Sequence, residues 1–118
     1  MIDDTQEVIN KIHNSETSVE DILALLSDQR GIVRANVLFE LPNREVSNND
    51  VVVAALNEAA TNRFSSFKLM GNVTQKKFAI ATLSWIGEQA MYSEMLGLCD
   101  QVEVEDIKNL VTQGPVSI

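Results

Sequence analysis

Apolar residues recur along this chain at the spacing of one helix face after another. Val8, Ile9 and Ile12 predict a short first helix within residues 4–14. Val19, Ile22, Leu23, Leu25 and Leu26 then form one stripe. Thr17 followed by Glu20 reads as a capping box, and Ser27 and Asp28 stop that helix ahead of a tight link at Gly31. In residues 31–41, Val33, Val37, Leu38 and Leu41 share one side, while Ile32, Ala35 and Phe39 share another. Such a helix must be covered twice. Pro42 and Asn43 end it.

Ser47 or Asn48 caps the next helix, where Val52, Ala55, Leu56 and Ala59 face inward and Asp50, Asn57, Glu58 and Thr61 face outward. The triple valine at 51–53 has strand propensity, but Ala54–Ala60 continue the helical period. Phe64, Phe67 and Leu69 predict a short helix or an ordered loop, closed by Gly71 and Asn72. Thr74 caps a helix whose inward arc holds Phe78, Ala79, Thr82, Leu83, Trp85 and Ile86, with Gly87 at its end. Residues 88–100 predict a further helix with Met91, Met95, Leu98 and Cys99 in the core. Residues 102–114 predict the last, stopped by Gly114-Pro115. No cluster argues for strands, so the pattern predicts an all-α domain of about seven helices spanning residues 1–118.

One phrase occurs twice: Val19-Glu20-Asp21-Ile22 returns as Val104-Glu105-Asp106-Ile107, 85 residues later. Half of that offset, about 42, also gives a match. Val33-Arg34-Ala35-Asn36-Val37 with Leu41 falls in register with Gln75-Lys76-Lys77-Phe78-Ala79 with Leu83. The same shift sets Val51–Ala60 over Ser93–Val102 and carries the first phrase onto Thr61–Lys68. Units of this length belong to stacked helical repeats.

The stretch Asp28–Leu41 resembles the first helix of a HEAT repeat, in the residues Asp28, Val33, Arg34, Val37 and Leu41. Thr74–Gly87 resembles a second copy, with Lys76, Ala79, Leu83, Ile86 and Gly87 in place. Val37 stands where the family usually has Ala, and Gln75 where it usually has Val. The resemblance covers roughly residues 18–100, and an armadillo-type unit fits as well. It implies a short right-handed α-solenoid, HEAT- or armadillo-like.

Composition changes the picture mainly through charge. The net charge is −8. Residues 1–29 carry seven acids and one base, residues 30–77 seven bases and four acids, and residues 78–118 six acids and one base. That balance argues against nucleic acid, which needs a basic patch for phosphate contacts. It favours a cationic protein partner. No apolar run approaches a membrane span, the N-terminus does not look like a signal peptide, and a single cysteine fits a reducing compartment, so a cytoplasmic protein is expected.

Candidate chemistry is thin. His13, the single histidine, is expected to face the last carbonyls of the first helix, and Cys99 to pack. The pairs Glu20-Asp21 and Glu105-Asp106 read as helix-dipole partners in first turns. Arg30-Arg34 and Lys76-Lys77 read as bridges to acids on neighbouring helices. No metal set, phosphate loop or dinucleotide motif is present, so no cofactor and no catalysis are expected.

The solenoid resemblance implies a binding face made by the second helices, with Asp50, Asn57, Glu58, Glu94 and Asp100 along it and Tyr92 as an aromatic anchor. Size and acidity together make the chain similar to the HEAT-like immunity proteins of bacterial toxin–immunity systems. That likeness implies an inhibitor which neutralises a basic toxin domain, such as a nuclease, as a monomer in a heterodimer. The alternative is a general HEAT-like adaptor or regulatory subunit of a larger assembly. A third reading, an enzyme related to chromophore lyases, needs a buried carboxylate in a pocket around Trp85 and Tyr92.

Overall fold

The computed structural model describes residues 4–44, 49–71 and 73–114. Helix α1 spans Thr5–His13, and α2 spans Val19–Ala24 before tightening into a 3-10 turn, Leu25–Ser27. Helix α3 spans Gly31–Glu40 and passes into a second 3-10 turn, Leu41–Asn43. Helix α4 is Asn49–Thr61, β1 Lys68–Met70, β2 Val73–Thr74, α5 Gln75–Trp85, α6 Gln89–Leu96 and α7 Gln101–Gln113. Seven helices among the described residues agree with the all-α expectation. The positions Ser47, Asn48, Asn72 and Pro115 lie outside the described residues.

The strand pair is a departure. Strands β1 and β2 run antiparallel, pairing Lys68 with Thr74 and Met70 with Val73 around Gly71, whose φ of 56° suits glycine. Helical spacing of Phe64 and Phe67 does not carry the segment, because its backbone serves α5 instead. Gln75 N donates to Phe67 O at 2.8 Å, Lys76 N to Ser65 O at 2.9 Å, and Lys77 N to the Thr74 hydroxyl at 3.4 Å. Three otherwise orphaned donors of the first turn of α5 are thereby satisfied. Thr74 caps as expected, and Gly87 turns the chain after α5 with φ 89°. On α2 the cap is Ser18, which accepts from Asp21 N, and not Thr17.

Helix α3 is buried from Val33 through Glu40. It packs on α1, the Leu25–Ser27 turn, β1 and α5, while α5 touches α3, α4, α6 and α7. Contacts thus run from α1 to α3, from α3 to α5 and from α5 to α7, and they cover both apolar sides of α3 except at Ile32, which is 56% exposed. One hydrophobic cluster runs from Ile12 to Leu110, with Phe39 edge-on to Phe78 at 5.0 Å and Phe78 edge-on to Trp85 at 5.7 Å. The radius of gyration is 13.5 Å, the value expected for a compact domain of this length, about 13–14 Å.

The 42-residue register holds between α3 and α5 and breaks elsewhere. Thr61–Lys68 contains the end of α4, a turn and the start of β1. Ser93–Val102 straddles the α6–α7 corner, where Gly97 caps α6 and Asp100 starts α7. The second phrase therefore begins inside α7, and Glu105 and Asp106 sit in its second turn.

Two polar knots tie these helices together. Arg34 is 1% exposed. Its Nε donates to Gln75 Oε1 at 2.7 Å, its Nη1 to Asp28 O at 2.8 Å, and its guanidinium carbon lies 3.9 Å from the Phe64 ring centre. Gln75 passes the link on, donating from Nε2 to Ala59 O at 3.0 Å on α4. Arg34 thus uses an amide, a carbonyl and a ring where an acid was expected. Burial pushes its pKa down, though an arginine stays charged. Lys76 and Lys77 do reach acids of a neighbouring helix, Glu103 at 3.0 Å and Asp106 at 2.6 Å on α7.

The second knot joins α1 to α3. His13 does not face the carbonyls of its own helix. Its Nδ1 meets Glu40 Oε1 at 2.9 Å and its Nε2 meets Asn36 Oδ1 at 2.7 Å. Asn36 Nδ2 donates to Ile32 O, which turns the amide oxygen toward the ring. The carbonyls are taken by Arg44, which donates to the oxygens of Ile12, Asn14 and Thr17 and from Nε to Glu40 Oε2 at 2.6 Å.

Replacing Arg34 by Met strands two acceptors, Gln75 Oε1 and Asp28 O, and is expected to cost roughly 2–4 kcal/mol in urea unfolding. Lys at this position is expected not to rescue the loss, since an ammonium has no planar fork to span both acceptors. Glu40 gives a second test. Burial would raise its pKa, but the hydrogen bonds from His13 and Arg44 outweigh burial and hold it below its ordinary value of 4.5. The folded value lies below the unfolded one, so the stabilisation is present above pH 4.5 and is lost as pH falls through the folded value. Glu40→Gln is expected to flatten that acid limb and to lower stability at neutral pH by about 1–3 kcal/mol, read from urea unfolding across pH.

Candidate functional site

The six residues expected on a binding face do not share one setting. Asp50 is exposed in the first turn of α4, and Glu58 is exposed toward its end. Seven positions separate Asp50 from Asn57, so both lie along one side of α4. Glu94 is exposed on α6, three positions after Met91 and on the same side of that helix. Asn57 differs from the expectation that it faces out. It is half-buried, and its Nδ2 donates to Met91 Sδ at 3.4 Å, a point of contact between α4 and α6, which both pack mainly on α5. Its Oδ1 is buried without a hydrogen-bond partner.

Tyr92 follows Met91 on α6. Its ring packs partly against the core, and burial pushes its pKa up. Asp100 stands apart from this pair of helices in its role. Its carboxylate accepts from Glu103 N at 2.8 Å while Glu103 Oε1 accepts from Asp100 N at 3.2 Å, a complete capping box at the start of α7. The structure therefore joins Asn57 to the Met91–Tyr92 turn, lays Asp50, Glu58 and Glu94 along the same two helices, and gives Asp100 a structural task.

Leu98 was expected in the core and is 75% exposed. Helix α6 stops at Leu96, so the helical phase that would bury Leu98 is lost at Gly97. Val102, one turn further, is 67% exposed, which leaves an apolar corner between α6 and α7. A separate groove of about 360 Å³ lies between α1, α3 and β1, lined by Ile9, Ile32, Phe39 and Leu69 among others.

Charge is distributed less evenly than composition states. Of the nine Lys and Arg residues, Arg30 pairs with Asp28 and Asp4, Arg44 with Glu40, Lys76 with Glu103 and Lys77 with Asp106, while Arg34 is buried. Lys11, Arg63, Lys68 and Lys108 remain at the surface. The exposed carboxylates of Glu7, Glu20, Asp50, Glu58, Glu94 and Glu105 enter no ion pair among the described residues.

The groups that could carry chemistry are engaged elsewhere. Burial, more than its charged neighbours, pushes the Cys99 thiol up, and Sγ donates to Met95 O. The buried carboxylate among the described residues, Glu40, belongs to the His13–Arg44 knot and not to the surroundings of Trp85 and Tyr92. Trp85 Nε1 donates to Val111 O at 3.3 Å. Among the described residues no three His, Cys, Asp or Glu side chains are grouped to hold a metal ion, and no helix is long and apolar enough to cross a membrane.

Asp100 and Glu94 can be told apart by stability. Asp100→Ala removes the cap of α7 and is expected to cost about 1 kcal/mol in thermal or urea unfolding. Glu94→Lys, at an exposed site with no ion pair among the described residues, is expected to stay within about 0.5 kcal/mol of the parent protein. Comparison of the chain with protein-family models, with curated proteins and with solved structures finds no match in any of the three.

Proposed function

We propose that this chain is a non-catalytic protein-binding domain that docks a basic protein on the α4–α6 side, acting as an immunity protein for a cognate basic toxin, such as a nuclease. The observation that carries this reading is the distribution of charge: most cations are spent on internal contacts, and Asp50, Glu58 and Glu94 stay outside without ion pairs among the described residues. A surface of one sign steers an oppositely charged partner and accelerates encounter. In this reading the row of α1, α3, α5 and α7 is a short right-handed solenoid of HEAT or armadillo type, α4 and α6 are its second helices, and one cytoplasmic copy meets one partner.

The exposed Leu98 and Val102 favour a second reading, an adaptor that meets a larger assembly through apolar contact. Salt separates the two. The protein is immobilised and used to capture partners from a lysate of the cell that makes it. The inhibitor reading expects one basic protein, whose association slows tenfold or more between about 0.05 and about 0.5 M salt. It also expects capture to be lost with Glu58→Lys combined with Glu94→Lys. A salt-insensitive partner that survives both reversals and is lost with Leu98→Glu sinks the inhibitor reading and supports the adaptor.

A further inference from the structure

The described core is otherwise careful with its polar groups. Arg34, Asn36, Glu40, Gln75 and Thr82 are all buried, and each has hydrogen-bond partners. Asn57 Oδ1 is the exception among buried side-chain nitrogen and oxygen atoms of the described residues. The other end of the same amide has a thioether as its partner, Met91 Sδ, a weak acceptor. Turning the amide over does not help, because a donor then stands where Oδ1 stood and the oxygen faces sulfur. An apolar residue of the same size would fill the place with no orphan, so the amide lowers the stability of the free protein. Natural chains keep such a cost where a site uses the group.

From this we infer that Asn57 recognises an arginine side chain of the partner, at the seam between α4 and α6. The inference rests on the protein-binding reading above and adds a specific ligand group to it. Three features point to a guanidinium. First, the orphan is an acceptor, so it takes an N–H donor. Second, the side chain that meets the other end of the amide is Met91, unbranched with three rotatable bonds and only half-buried at the edge of the core, so it can repack around a guest. Third, the surroundings combine carboxylates with soft surface: Glu94 lies on the Met91 side of α6, Asp50 lies two turns before Asn57 on the same side of α4, and the Tyr92 ring follows Met91, whereas Glu58 lines a groove with Ser27, Arg63 and Phe64. A guanidinium can give one N–H to Asn57 Oδ1, turn others to the carboxylates, and lay its weakly hydrated face on the thioether or the ring. An ammonium is compact and strongly hydrated, and the acidic rim holds it without drawing it into the seam.

The test uses the intact, isotope-labelled protein and two probes, N-acetyl-arginine amide and N-acetyl-lysine amide. The side-chain amide of Asn57 and the methyl group of Met91 are followed by NMR at low salt. The arginine probe is expected to shift both signals saturably and to bind about fivefold or more tightly than the lysine probe. Asn57→Leu is expected to melt no lower than the parent protein and to erase the preference, leaving equal, charge-driven binding of the two probes. Asn57→Asp, which keeps the shape and adds charge, is expected to tighten the arginine probe and to hold the inference testable if the leucine variant folds poorly. Glu58→Lys with Glu94→Lys is expected to weaken both probes. If those reversals change nothing, the basic-partner reading falls. If they weaken both probes while Asn57→Leu keeps the arginine preference, or while the Asn57 amide never moves, the reading stands and this inference is overturned.

Discussion

A single buried guanidinium decides how the two halves of this chain meet. Arg34 leaves α3, passes the Phe64 ring and donates to Gln75, 41 residues away, while holding the Asp28 carbonyl behind it. Gln75 is fully buried and hands the connection to α4 through Ala59. Desolvating an arginine is costly unless its donors are satisfied and its flat face is covered. That requirement explains features that look unrelated. The 3-10 turn at Leu25–Ser27 sets the Asp28 carbonyl where Nη1 can reach it. The Phe64–Phe67 stretch gives up helical form so that Phe64 covers the guanidinium and the carbonyls of Ser65 and Phe67 close the start of α5. The small strand pair is a product of that arrangement.

The same demand for partners shapes the outer surface. Arg30, Arg44, Lys76 and Lys77 each stitch one segment to another, whether α1 to α3 or α5 to α7. Each cation that acts as a stitch stops contributing to the field around the molecule, and so does its acidic partner. The remaining carboxylates therefore act against few exposed cations, and the external field is more one-sided than a net charge of −8 spread over both signs suggests. Internal cohesion and external acidity follow from one cause.

Much of the helix order is legible in the sequence because it depends on local rules. The two-sided pattern of α3, the threonine cap of α5 and the glycine after it are settled within a few residues, and the structure keeps them. The misses share a different cause. Local spacing sets His13 against the end of its own helix, but its partners Glu40 and Asn36 lie 27 and 23 residues away. Phe64 and Phe67 carry helical spacing, yet their segment gives its carbonyls to the first turn of α5 and the Phe64 ring to Arg34 on another helix. Leu98 continues the phase of α6 only if the helix continues, and a competing capping box at Asp100 ends that option. The candidate site suffers most. Asp50, Glu58 and Glu94 are legible as exposed acids, whereas the orphan oxygen of Asn57 depends on tertiary packing that no local pattern encodes.

Rim and seam would do different work in the complex. Exposed carboxylates act at a distance through water and ions, so their influence is long in range, small per pair and screened by salt. In the proposed complex they would govern how often a basic partner arrives. A donor that reaches Asn57 Oδ1 acts at one place, away from bulk water, and is screened far less. It supplies an acceptor that the free protein leaves unused, so the bond is formed without first breaking an equivalent one. Such a contact governs how long the partner stays and which side chain it must bring. The proposed immunity-type reading needs both properties together, fast arrival and selective retention, which the exposed acids and Asn57 would have to supply from the α4–α6 side.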